Sequence, residues 1–205
     1  MGVIMDLTPV ERDRIERVRT DLATYYQLEQ EKNVWVRIFR ESVASPTKQI
    51  DPQRAAFLLG CYSDLNLSLT LGKDWELLHY LLTGTTEEVA EMPLSQVVLG
   101  GEKLFIDQQW SHSPPVLLSV QETQAVAQAL AAVPVETISA RYQPDVIIER
   151  CYHLPASQEE GSPYQQMMAH LKDNGHTYYW KRIGEISHYY SLAAEQSMGM
   201  LKSLG

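Results

Sequence analysis

The chain has 205 residues, 44% of them hydrophobic and 21% charged. That balance excludes a disordered or fibrous chain and is enough to bury a real core in one large domain or two small ones. The formal charge of −9 repels a phosphate backbone and an anionic bilayer, so nucleic-acid and membrane-surface binding are disfavoured.

In chain order, GVIMDL at residues 2–7 is short and apolar and predicts a strand. Thr8, Pro9 and Glu11 then have the pattern of a helix start, with Thr8 as N-cap and Glu11 reaching back to it. Ile15, Val18, Leu22 and Tyr25 recur at helical spacing, which predicts a helix to about Leu28. NVWVRIFRES, residues 33–42, fits a strand and a helix equally. Asp51-Pro52 starts a helix that carries Ala56, Leu58 and Leu59 inward.

LTLGKDWELLHYLLTG, residues 69–84, is read as the central core helix. Trp75, Leu78, His79 and Leu82 share one face, Leu77 and Leu81 add a second apolar flank, and Gly84 closes it with a left-handed cap. MPLSQVVLGGEKL, residues 92–104, is expected to be a strand running into a tight turn at Gly100-Gly101. Val116–Leu118 ends a strand, and Ser119 with Glu122 forms a capping box for a helix lined by Val126, Leu130 and Val133 and stopped by Pro134. Two short helical pieces follow, separated by Pro144. After a polar loop at 157–163, a helix from about Tyr164 to Leu171 is broken at Asn174-Gly175. A long helix from Thr177 to Gln196 turns Tyr179, Ile183, Ile186, Tyr190 and Ala193 inward, and the tail is a last strand.

The expected fold class is α+β: a single domain over residues 1–205, with a small mixed or antiparallel sheet packed against several helices and a long C-terminal helix. No run approaches eighteen apolar residues, so no transmembrane helix is expected. The opening residues lack the apolar core of a signal peptide, and Asp6 breaks the myristoylation pattern. Cys61 and Cys151 lie far apart and suit inert thiols in a reducing compartment. The expected location is the cytoplasm.

Several of these segments together resemble the YfbM-like family of bacterial proteins. They are GVIMDLTPVE, LGKDWELLHYLLTG, PLSQVVLGGEKL, LLSVQETQAVAQAL followed by SARYQPD, and HYYSLAAEQSMGM. The shared positions are Met1, Gly2, Pro9 and Glu11, then Trp75, His79, Leu82, Thr83 and Gly84, then Gly100 and Gly101. WSHSPPV, before Leu117, departs from the family pattern, so any ligand contacts in that loop are altered here. The resemblance implies a small α+β fold and carries no reaction with it.

His79 is the sharpest chemical candidate, as either a satisfied core histidine or an acid–base group in a pocket floored by Trp75. Gly100 and Gly101 suit a tight turn, or backbone N–H groups offered to an anion; neither a dinucleotide fingerprint nor a Walker loop is present. No metal or cofactor motif occurs, so neither is expected. Trp110 and the aromatic-basic string containing Tyr179 and Trp180 are candidates for partner contact. Two functions stand. The first is a non-catalytic interaction protein with a protein partner or a second copy of itself. The second is a small enzyme or metabolite binder around His79, Trp75 and the Gly100-Gly101 turn, which requires His79 to open into a concave site.

Overall fold

The structure is a computed structural model that describes residues 4–29, 68–89, 93–110 and 112–204. The ambiguous segment 33–42, the helix expected from Pro52, and Cys61 lie outside these residues.

Among the described residues, five strands form one antiparallel sheet, in the order β2-β1-β5-β4-β3. They are β1 (Met5–Val10), β2 (Leu69–Gly72), β3 (Glu102–Lys103), β4 (Val116–Leu118) and β5 (Gly199–Leu204). Side chains alternate across a sheet, and here both faces are covered. Met5, Leu7, Leu118 and Met200 point into the larger core. Val10, Leu117 and Leu201 point into a smaller one on the opposite face. This explains why the tail Gly199–Lys202 is buried at every position. Fully burying one such leucine stabilises by roughly 1.5–3 kcal/mol.

The smaller core is closed by α1 (Arg12–Thr20) and by α2 at residues 22–29, through Ile15, Val18, Tyr25 and Leu28. The larger core is closed by α3 (Trp75–Thr83), α4 (Val120–Ala132), α5 (Val135–Arg141), α6 (Pro144–Cys151), α7 (Pro163–His170) and α8 (His176–Glu195). The α4 start has the expected capping box: the Glu122 N–H donates to Ser119 Oγ at 3.3 Å and the Ser119 N–H donates to Glu122 Oε2 at 2.7 Å. Helix α4 packs along α8, whose buried residues are the five inward positions read from its periodicity. Gly84 ends α3 at φ +83°. Arg141 covers that end, donating from Nη1 to the carbonyls of Leu81 (3.0 Å) and Leu82 (2.6 Å).

Five expectations need correction. Thr8 and Pro9 are not a helix start; they belong to β1, paired with Leu201 and Met200. Pro9 is tolerated because β2 pairs β1 only at Met5–Leu7, so no ladder bond is lost on that side. The expected helix to Leu28 is two helices, and Asp21 between them takes the Ala23 and Thr24 N–H groups. The core helix begins only at Trp75, because Leu69–Gly72 pairs with β1 as β2. The strand expected before Gly100 is instead a 3-10 turn at Ser95–Val97, and β3 is confined to two residues.

The break expected at Asn174-Gly175 is also absent. Leu171–Gly175 is a π-helical segment that carries α7 straight into α8. Gly175 is buried there, and the Tyr142 hydroxyl donates to the Leu171 carbonyl at 2.9 Å.

Candidate functional site

His79 projects from α3 into the larger core and is 0% exposed. Its Nε2–H donates to the Glu87 carbonyl at 2.9 Å, which leaves Nδ1 as an unprotonated acceptor, buried and without a hydrogen-bond partner. Burial holds the imidazole below its ordinary pKa, and the nearby Lys202 ammonium acts in the same direction. The open pocket required by the enzyme reading therefore does not form at His79. Trp75, one turn earlier, is half-buried against the core.

Gly100 and Gly101 make the expected tight turn, at φ +55° and +116°. Any side chain at 101 would collide with Leu118, whose Cδ2 lies 2.7 Å from an ideal Cβ. The turn presents the Gly100 carbonyl to a cation. The ammonium of Lys202 donates to the carbonyls of Gln96 (2.8 Å), Leu99 and Gly100. Lys202 is fully buried, and burial pulls its pKa down to about 7, against partial compensation from Glu88 and Glu122.

A largely apolar cavity of about 150 Å³ lies beside Lys202, lined by Val98, Leu99, Gly100, Val116 and Leu204 among others. In the ammonium form all three protons are used by carbonyls, so that form offers no lone pair to the cavity. Lys202 was missed in the sequence. Alternation along the tail would have found it, because position 202 shares the inward face of Met200.

The aromatic-basic string at the start of α8 divides between faces. Tyr179 is buried, its hydroxyl 3.2 Å from that of Tyr152 and donating to Asp74 at 3.3 Å. Trp180 is half-buried and stacks on His176 at 4.5 Å. Arg182 is held by Glu185 and by the Thr70 carbonyl, at the side of a groove of about 390 Å³ between β2 and α8.

Trp110 lies elsewhere, in an aromatic face built by α2 and the turn after β3. Its ring stands perpendicular to buried Tyr25 at 5.6 Å and lies 6.4 Å from Tyr26. Phe105 is 6.0 Å from Tyr25. The turn is closed by the Gln108 N–H on the Phe105 carbonyl (3.0 Å), and Trp110 Nε1–H donates to the same oxygen at 2.9 Å. Phe105 is held at φ +50°, a left-handed conformation that costs a bulky residue free energy. The result is that Ile106 stands at the tip of the turn, 67% exposed, while Tyr26 is 50% exposed.

Among the described residues no three His, Cys, Asp or Glu side chains gather as a metal site, and no helix is long and apolar enough to cross a membrane. The family model described as a domain of unknown function (DUF1877) matches residues 1–202. A search of curated proteins finds no match. The crystal structure of a protein of unknown function, YfbM from Escherichia coli, has a similar fold. Its TM-score is 0.55 at 15% identity, over 98% of this chain and 99% of that one.

Proposed function

The chain belongs to this DUF1877 family, and on that premise we propose that it is a non-catalytic protein-binding module whose contact face is Tyr26, Phe105, Ile106 and Trp110. The observation that carries this reading is the turn at 105–108. A left-handed phenylalanine and a doubly used carbonyl hold an isoleucine out in solvent. Strain of that kind is retained where the surrounding structure, or a function, over-determines it. Aromatic residues flanking an aliphatic tip are the composition of an interface centre. Tyr25 and the Phe105 carbonyl fix Trp110 in place, so little side-chain freedom is lost on binding.

His79, Trp75, Gly100, Gly101, Tyr179 and Trp180 then serve the fold rather than a ligand. We place the protein in the cytoplasm, where reducing conditions suit the free Cys151 thiol.

The test is photocrosslinking in bacterial cells with p-benzoylphenylalanine at position 106 and, as control, at exposed Val135 on α5. A discrete protein adduct from position 106 and none from 135 supports the reading. Equal or no adducts from both positions contradict it.

A further inference from the structure

We propose that the cavity beside Lys202 is a binding site for a small monocarboxylate with a compact hydrocarbon body, a short branched or aromatic acid. The inference does not depend on the contact face at Ile106. The cavity measures about 150 Å³, a size that takes a benzene ring. Val98, Leu99, Val116 and Leu204 give it hydrocarbon walls. Such walls suit an apolar body better than water, which needs several polar partners.

The polar groups decide the head group. At the inner end Lys202 is fully buried, and its protons go to neutral carbonyls. Those bonds satisfy the ammonium protons without cancelling its charge. Among the described residues no carboxylate pairs with it directly; Glu88 and Glu122 act on it only as more distant charges. His79, the other titratable group nearby, is held toward its neutral form. At the mouth, Lys103 is 57% exposed and lies 3.7 Å from Glu88, an ion pair too long for a hydrogen bond. Its protons can therefore turn to an incoming anion. The Ser113 hydroxyl reaches only the Pro114 carbonyl, at 3.5 Å, and can turn in the same way.

Among the described lining residues, Lys202 and Lys103 thus set two cations against the one carboxylate of Glu88. One anionic head group balances that charge. Its oxygens meet Lys103 and Ser113 while the hydrocarbon lies over Val98 and Val116 toward Lys202. An amine would add to the excess of positive charge, and an alcohol of the same shape would leave it unmatched. The whole-chain charge of −9 slows the approach of any anion. Salt at 0.1 M screens that field over about 10 Å, however, and screens a buried ammonium much less.

The experiment is a titration of the isotope-labelled full chain with benzoate, benzyl alcohol and benzylamine, followed by amide chemical shifts. It is run at about pH 6, below the Lys202 pKa of about 7. The expected result is saturable shifts at residues 98–101 and 202–204 with benzoate, and binding at least about tenfold weaker for the alcohol and the amine. Lys103→Met should weaken benzoate several-fold. Leu204→Trp, which fills the cavity from the end of β5, should abolish the shifts. Lys103 is exposed, so its variant keeps the fold and decides the matter if Leu204→Trp lowers the melting temperature. Equal binding of benzoate and benzyl alcohol would overturn the proposal. So would benzoate shifts centred elsewhere, affinity unchanged in Lys103→Met or in a folded Leu204→Trp, or no saturable shift up to about 10 mM.

Discussion

The hydroxyl of Tyr142 occupies the volume that a side chain at Gly175 would need: an ideal Cβ there would lie 2.0 Å from it. The two residues form one device. A π-helical turn leaves the Leu171 carbonyl without its regular α-helical geometry, Tyr142 reaches in to donate to it, and glycine makes the room. The long helical run into α8 depends on that arrangement.

Gly175→Ala should therefore destabilise the fold by about 1–3 kcal/mol, the cost of overpacking. Tyr142→Phe alone should cost about 1 kcal/mol through the lost hydrogen bond. Because Tyr142→Phe removes the clashing atom, the double variant should be less destabilised than the two single costs combined. Urea denaturation of the four proteins measures this; strict additivity would mean that the two sites are independent.

Stability should rise with pH from about 6 to about 9. Lys202 has a folded pKa of about 7, below the unfolded value of ~10.4. Between those values the unfolded chain binds the extra proton, so stability increases with pH, with a slope approaching ~1.4 kcal/mol per unit. His79, also lowered in the fold, adds to the rise below the unfolded histidine pKa of ~6.5. Above pH ~9 the trend should reverse. The buried Cys151 thiol, raised to about 12, and the buried Tyr179 and Tyr190 phenols, also raised, must stay protonated in the fold. In Lys202→Met the rising limb between pH 7 and 9 should flatten, whatever the absolute loss of stability. An unchanged slope would place the titration elsewhere.

Arg141 donates to the last carbonyls of α3, where a cation also meets the negative end of the helix dipole. Arg141→Met keeps most of the aliphatic stem and removes only those bonds. It should cost about 1–2 kcal/mol in chemical denaturation, the low end of the range for charged hydrogen bonds because the side chain is partly exposed.

Ser119→Ala should cost about 1 kcal/mol, since it leaves the Glu122 N–H without its capping acceptor. Thr8→Ala should cost less. Its hydroxyl lies 2.7 Å from Ser68 Oγ at a part-buried site and caps no helix. The pair of melting curves separates a true capping box from one that only reads like it.

Thr8 and Ser119 also show where the sequence is legible and where it stops being so. Both begin a cap-like pattern, yet only Ser119 starts a helix. Pairing of Thr8 with Leu201, nearly the whole chain away, outweighs a local preference worth about 1 kcal/mol. The inward face of α8 was readable because a helix of that length averages out single-residue ambiguity. The segment before Gly100 was not. Val97 and Val98 are buried at the end of and just after a 3-10 turn whose Gln96 carbonyl serves Lys202, and β-branched residues in so short a run give no period to distinguish it from a strand. At the candidate site, Trp110 could be singled out by residue type. Its company could not, because Tyr25, Tyr26 and Phe105 are brought to it by the small core on the far side of the sheet.

The most direct measurement is a calorimetric titration of the purified chain, as wild type and Ile106→Asp, against the protein captured through position 106. Ile106 is exposed, so the variant should melt with the wild type. A contact face at Tyr26, Ile106 and Trp110 predicts binding weakened at least about tenfold by Ile106→Asp. Equal affinity in the two proteins would contradict it.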